Sequence, residues 1–279
     1  MNDETQWRIA TAFVTGTSHK RLSIPCQDYA IAKIFQDVDG YDVLLVVVSD
    51  GAGSALKAEI GSSIACCTVA EAVEVYLAKR GQVEDINIDV ARSWLRSVQT
   101  AIKTQAKEDG GVVRDYACTL LIAVIGQNTA ATMQVGDGAI VVSYGENWSL
   151  AHWPQRGEFA NTTFFTIDDC AESQLEFKSH KRRIIELAAF SDGIESLVIQ
   201  YATQAVFEPF FDKMFPPVRS VKGEGVNDKL SDALAAYLSS PSICERNDDD
   251  KTLVLATRRK EITVEKYNES TPRSGSINE

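Results

Sequence analysis

At 279 residues, with 44% hydrophobic and 24% charged side chains, the chain is long enough for one large or two ordinary domains with a substantial core. A formal net charge of -11 disfavours a nucleic-acid partner, since binding a phosphate backbone needs clustered cations. No apolar run approaches a membrane span, and the opening MNDETQWR lacks a basic-then-apolar leader, so the expectation is a cytoplasmic protein with no nucleic-acid or membrane partner.

Trp7 to Val14 reads as a first strand and Thr15 to Gln27 as a polar loop carrying Gly16, His19, Lys20, Arg21 and Pro25. Asp28 opens a second strand, Tyr29 to Phe35, and Asp37 to Gly40 forms a hairpin turn. Val43 to Val48 are six consecutive β-branched or Leu residues, too few for a free-standing helix, and read as a strand buried on both faces. It stops abruptly at Ser49-Asp50-Gly51-Ala52-Gly53.

The spacing then turns helical. Ile60, Ile64, Cys67, Ala70 or Glu71, Val73 and Leu77 form one stripe; Ile88, Ala91, Leu95, Val98 and Ile102 form a second, in a helix from Ile88 to Ala106. The two predict an antiparallel pair joined near Gly81, with Trp94 in its packing. After Asp109-Gly110-Gly111, the runs Ala117 to Ile125, Ala130 to Val135 and Ala139 to Tyr144 predict an antiparallel meander, with Gly126-Gln127-Asn128 and Gly136-Asp137-Gly138 as its turns. The signal weakens from Gly145 to Arg183, where two short strands, Trp148 to Ala151 and Thr162 to Ile167, are expected. A strand from Ile184 to Asp192, a helix from Ile194 to about Phe207, an aromatic and proline-bearing connection at Phe210 to Pro217, a helix from Asn227 to Leu238 and a strand from Thr252 to Ala256 complete the pattern. Residues 1–257 read as one domain and 258–279 as a polar, disordered tail.

This order is α+β and too antiparallel for a doubly wound sheet. It predicts two packed antiparallel sheets, a β-sandwich, flanked by antiparallel α-helices in a four-layer α-β-β-α arrangement. The six cysteines (26, 66, 67, 118, 170 and 244) include no CxxC pair and no zinc spacing with histidine, so reduced and mostly buried thiols are expected, Cys66 and Cys67 among them.

One Asp-Gly pair is an ordinary turn. Here apolar runs close on Asp50, Asp137 and Asp192, each followed by Gly, and Asp248-Asp249-Asp250 precede the last strand. Antiparallel neighbours meeting at one sheet edge would gather Asp50, Asp137, Asp192 and Asp249, with Asp28 as a fifth carboxylate at a strand end. Carboxylates cannot share a cleft unpaired, and as hard ligands they suit magnesium or manganese rather than zinc. Two such ions, about 3.5 to 4 Å apart, can activate a water and clamp a phosphoryl group, which points to phosphoester hydrolysis.

The pieces PCQD (Pro25 to Asp28), VSDGAGSA (Val48 to Ala55), VGDG (Val135 to Gly138), FSDGIES (Phe190 to Ser196) and DDDKTLVLA (Asp248 to Ala256) stand together in one order. In that order the chain resembles the metal-dependent serine/threonine protein phosphatases of the 2C type, especially a divergent bacterial branch, over about residues 10 to 257. The resemblance implies a layered sandwich and a phosphorylated protein as substrate, attacked at phosphorus by a metal-activated water. It implies two Mn2+ or Mg2+ ions bridged by Asp50, with the Gly51 carbonyl as a further ligand. Asp192 and Asp249 would complete the first metal and, with Asp50, the catalytic set. Asp28 would order the water shell of the second, and Asp137 with Asp192 would match a weak third site.

Three positions depart from the family pattern. Ala52 stands where many members have His or Met, Asp250 where many have Asn, and Gln27 where many have Glu. The family's phosphate-binding Arg lies a few residues before the Asp that aligns with Asp28; here the nearest cations are His19, Lys20 and Arg21, and His19 is the first candidate to contact phosphate and pass a proton to the leaving oxygen. Two rivals remain open: an inactive member serving as a binding module, against which the retained Asp50, Asp192 and Asp249 argue, and a hydrolase of small phosphate esters.

Overall fold

The computed structural model describes residues 6–156 and 163–258. Strand β1 (Arg8–Val14) leads into a short helix, α1 (Thr17–Leu22), and then the hairpin β2 (Tyr29–Gln36) and β3 (Asp42–Ser49). The hairpin turn places Gly40 at φ +80°, where its N–H donates to Asp37 O at 3.0 Å. Two long helices follow, α2 (Ala58–Ala78) and α3 (Ile88–Glu108), and then β4 (Leu120–Ile125), β5 (Ala130–Val135), β6 (Ala139–Ser143) and β7 (Trp148–Leu150). The remainder runs α4 (Ala171–Gln174), β8 (Glu176–His180), β9 (Glu186–Phe190), α5 (Glu195–Val198), β10 (Ile199–Gln200), β11 (Ala205–Val206), α6 (Glu208–Arg219), β12 (Gly225–Val226), α7 (Asp228–Leu238), α8 (Pro241–Cys244) and β13 (Lys251–Thr257).

One sheet has the order β2-β3-β4-β5-β8 and the other β12-β1-β13-β9-β6-β7, while β10 and β11 form a separate ribbon. Every pairing is antiparallel except the two-residue contact of β1 with β12. Strand periodicity of two sorts the apolar side chains into layers. On β3, Leu44, Val46 and Val48 face the second sheet, where they meet Leu187 and Ala189 of β9 and Val254 and Ala256 of β13. Val43, Leu45 and Val47 face the other way, onto α2 and α3. On the second sheet Ala188, Phe190, Leu253 and Leu255 point outward beneath α5, α6 and α7. The four-layer sandwich follows from strands that are apolar on both faces.

Helix α3 forms as its stripe predicts. Asn87 caps it by accepting from Asp89 N and Val90 N, Trp94 is 4% exposed and meets Tyr76 edge-on, and Gly110 at φ +64° ends the helix. Helix α2 turns a different face inward from the one its bulky residues suggest. Gly61, Ala65 and Val69 are buried while Ile60 and Ile64 are half-buried and Cys67 is exposed. The reason is close approach: a Cβ at Gly61 would lie 2.2 Å from Tyr116 O, so small residues must face that side. By length and composition α2 is apolar enough to cross a membrane, the one such helix among the described residues, and here its small-residue face packs on the sheet. All six cysteines are free, but only Cys66 and Cys118 are buried.

Other expectations are corrected. The segment before Asp28 contains α1 rather than only loop. The meander stops after β5: Gly136-Asp137-Gly138 carries β6 across to the second sheet, beside β9. Gly136 adopts φ +113°, and a Cβ at Gly138 would lie 2.7 Å from Phe190 O, so these glycines permit a crossing that a hairpin would not need. Residues 163–167 form no strand; Thr166 N–H donates to Cys118 O at 2.8 Å and the chain then turns. The helix expected after Ile194 lasts four residues before the β10-β11 ribbon. Phe210 to Pro217 lies within α6, because Phe210, Phe211 and Phe215 anchor it in the core and Trp148 stacks on Phe211 at 4.3 Å, while Pro216 and Pro217 sit in its last turns. Arg258, expected to begin the tail, is buried over the Trp7 ring and donates Nε–H to Ile184 O at 2.7 Å; the rest of the expected tail lies outside the described residues.

At the end of β9 remote from Asp192, the fully buried Glu186 accepts from Arg219 Nε and Nη2, both at 2.7 Å, and from Thr257 Oγ1 at 2.8 Å. Arg219→Ala removes the cation and leaves the carboxylate buried, which is expected to cost about 3–5 kcal/mol of unfolding free energy in a urea titration. A loss below 1 kcal/mol would show that the pair contributes little net stability.

Candidate metal centre

Five carboxylates meet where the edges of the two sheets come together. Asp50 directly follows β3, and its loop is pinned by Thr119: Asp50 N–H donates to Thr119 Oγ1 at 3.0 Å and Thr119 N–H to Asp50 O at 2.8 Å. Gly51 bridges to Cys118, and a Cβ there would lie 2.7 Å from Gln27 O and from Ala58 Cβ. The glycine thus brings the Asp50 loop against the Gln27-Asp28 segment. Asp28, just ahead of β2, is 2% exposed, and its Oδ2 accepts from Ser191 Oγ at 2.7 Å and Thr252 Oγ1 at 2.8 Å. Ser191 and Thr252 share strand parity with the inward-facing residues of β9 and β13, so the second sheet fixes a carboxylate of the first.

Electrostatics shows which groups face one another. Burial comes first in raising Asp50 well above the usual carboxylate range, and Asp28, Asp192 and Asp137 add to it by like-charge repulsion. Asp28 and Asp137 are each pushed up to about 7, again by burial first, with Asp250 adding to Asp28 and Asp192 to Asp137. Asp192 is raised by burial and then by Asp249. The predicted ligands Asp28, Asp137 and Asp192 therefore neighbour Asp50, and Asp249 neighbours Asp192, at a looser spacing than His19, Asp249 and Asp250, the one group of three among the described residues whose ligand atoms lie within 4.8 Å of one another. Asp249 is exposed, as a group at the mouth of the site would be.

The predicted phosphate donors separate. Lys20 and Arg21 lie on the exposed side of α1, where Arg21 pairs with Asp248 at 2.9 Å and neither is brought against the five carboxylates by any described contact. His19 turns inward, is 9% exposed, and places Nδ1 3.0 Å from Asp250 Oδ2. Asp250 is buried and holds the loop from both ends, accepting from Gly16 N–H and from Gln27 N–H, each at 2.6 Å. His19, Asp249 and Asp250 each bring one oxygen or nitrogen within 4.8 Å of the others. The clamp by Asp250 and the hydroxyl pair on Asp28 were not foreseen. The alternation in Asp250-Lys251-Thr252 carried the signal, since both helpers occupy one face of the strand that Asp249 precedes.

The donor set fits hard divalent cations. Its side-chain ligands are all carboxylate oxygens, and Asp28 Oδ1 and Asp192 Oδ1 are buried with no hydrogen-bond donor among the described residues. Residues 15–235 match the protein phosphatase 2C family, and the chain is 35% identical over 252 residues to serine/threonine-protein phosphatase 3 of Escherichia coli (strain K12), covering 90% of this chain and 98% of that protein. The chain belongs to the protein phosphatase 2C family. Solved structures share the 2C fold at low identity. Serine/threonine phosphatase Stp1 of Staphylococcus aureus matches with a TM-score of 0.59 at 15% identity, over 91% of this chain and 95% of its own. The catalytic domain of serine/threonine protein phosphatase PstP, solved with two manganese ions, matches at 0.59 and 14% identity, over 90% and 98%. In this 2C domain the four-layer sandwich and the carboxylates at its edge thus belong to one architecture.

Proposed function

We propose that the chain is a metal-dependent protein phosphatase acting on phosphoserine and phosphothreonine, with Asp50, Asp192 and Asp249 as its catalytic metal ligands. The observation that carries this reading is the convergence of Asp28, Asp137 and Asp192 on Asp50, with Asp249 beside Asp192, and the buried oxygens of Asp28 and Asp192 that face no donor among the described residues. Two Mn2+ or Mg2+ ions held there would supply positive charge to lower the pKa of water and to offset the charge of a phosphoryl group.

The protein's own residues do the rest. Asp50, at the centre of the set, would hold the ions together with the Gly51 carbonyl, Asp192 and Asp249. The two hydroxyls on Asp28 Oδ2 leave Oδ1 as its free oxygen, suited to ordering water. Asp137, with Asp192 as neighbour, would serve a third and weaker site. His19 lies with Nδ1 3.0 Å from Asp250 Oδ2, an ion-pair distance without hydrogen-bond geometry, and makes no hydrogen bond through Nε2 among the described residues; Nε2 is our candidate to meet the phosphate or to protonate the leaving oxygen. Lys20 and Arg21, outside the carboxylate set, steer anions at most. The substrate is a phosphorylated protein, and six free thiols fit a cytoplasmic location.

Purified protein supplied with Mn2+ should hydrolyse an aryl phosphate and a phosphoserine peptide, lose both activities to a chelator and prefer the peptide to nucleotides. Full activity in chelator, or a preference for nucleotides, would overturn the reading. Asp137→Asn should lower turnover about 10- to 100-fold while calorimetry still shows tight metal binding. Loss of all metal binding in that variant would place Asp137 in the central pair instead.

A further inference from the structure

The chain just past β7 lies against the carboxylate site and is fastened to it. Gln155, 8% exposed, accepts from Gly136 N–H through Oε1 at 2.7 Å and donates its own N–H to Gly136 O at 3.1 Å. The fully buried Gln134 donates Nε2–H to the same Gly136 O at 3.0 Å and to Trp153 O at 2.8 Å. Gly136 immediately precedes Asp137. The residue after Gln155, Arg156, is therefore held beside the site by a clamp whose two glutamines are buried.

Arg156 is arranged to present charge outward. Its side chain is 55% exposed, with the guanidinium carbon 4.5 Å from the centroid of the Tyr201 ring. One nitrogen, Nη2, reaches Glu195 Oε1 at a long 3.3 Å, and Glu195 is close enough to Asp137 and Asp192 to be one of the charges acting on Asp137. Trp153 and Tyr201 are 39% and 41% exposed, and their ring centroids are 6.1 Å apart. A guanidinium held over an aromatic ring keeps N–H groups available, and two of them can meet a carboxylate in two-point fashion.

We propose that Arg156, held over the Tyr201 ring and fixed through Gln155, is a specificity-determining residue that binds an acidic side chain flanking the phosphorylated residue of the protein substrate. The inference rests on the phosphatase reading and adds which phosphopeptides the site selects. The chain's net charge of -11 would repel acidic segments in general, so a single placed cation at the rim discriminates among them. Glu195 restrains Arg156 without covering it.

The test compares two phosphoserine peptides, identical except for Glu or Lys at the flanking positions, with an aryl phosphate as a substrate that has no flank. Wild-type enzyme with Mn2+ should favour the Glu peptide about three- to fivefold in kcat/KM, the scale of one partly exposed charge pair. Arg156→Ala should abolish that preference through KM, Arg156→Lys should restore part of it, and both should keep aryl phosphate turnover within about twofold. Tyr201→Ala should weaken the preference more than Tyr201→Phe. A wild type with no preference for the Glu peptide, or an Arg156→Ala variant that keeps it, would overturn the inference and leave the phosphatase reading intact. Failure of the wild type on every substrate would overturn both.

Discussion

Asp50→Asn is expected to abolish phosphatase activity, by about a thousandfold or more in kcat/KM, and at the same time to raise the melting temperature of the metal-free protein. The two effects share one cause. Asp50 sits at the centre of the set, and its carboxylate is disfavoured first by burial and then by Asp28, Asp192 and Asp137. A divalent ion turns that repulsion into binding energy; without the ion it is strain. The amide is nearly isosteric, so packing survives while one negative charge is removed. Calorimetry in chelator should show the variant melting above wild type, and addition of Mn2+ should stabilise it far less than it stabilises wild type. A variant that keeps Mn2+-dependent turnover would show that Asp50 does not bridge the metals.

The second large effect is an inversion of pH dependence by metal. Asp28 and Asp137 rise from the ordinary 3.8 to about 7 in the folded protein. The folded state therefore holds these protons more tightly than the unfolded chain does. Their contribution to stability is fully present below about pH 4 and is lost as pH rises through about 7, amounting to at most about 4 kcal/mol per group. In chelator, the protein should melt at its highest temperature near pH 5 and become less stable toward pH 8. With saturating Mn2+ the trend should reverse, since metal must displace those protons and binds more tightly as pH rises. Asp109, drawn down to about 2 by Lys57 and Tyr116, loses its contribution only at much lower pH. Burial holds His152 and His180 below the ordinary 6.5, His180 at about 4, and these two add stability as pH rises toward 6.5. The raised set of Asp28, Asp50, Asp137 and Asp192 outnumbers them and sets the net sign. A metal-free melting temperature that climbs from pH 5 to 8 would mean these carboxylates are not mutually buried.

Much of the site was legible before any coordinates because strands end where their apolar alternation ends. Val43 to Val48 can only be a doubly buried strand, and the Asp that follows must stand at its tip; the same logic placed Asp28, Asp137, Asp192 and Asp249. The helical stripe of α3 is local as well. Short-range rules failed where a choice depended on what lay opposite. Whether Gly136-Asp137-Gly138 closes a hairpin or crosses between sheets depends on Phe190 of β9, and both outcomes have the same apolar pattern. The buried face of α2 depends on how closely Tyr116 approaches Gly61, and the helical state of Phe210 to Pro217 on Trp148 and the core beneath it.

The sequence by itself determined the sandwich class, the strand tips and the ligand chemistry, because each depends on residue type and spacing within a few positions. Only the tertiary structure decided which cations serve the site. His19, Lys20 and Arg21 are equivalent as neighbours in a chain; a turn of helix and the buried Asp250, 231 positions beyond His19 by number, draw His19 inward and leave the other two in solvent. Arg156 carries no local signal at all. Its place comes from Gln155 binding a glycine next to Asp137, and such a contact between distant segments exists only once both sheets have packed.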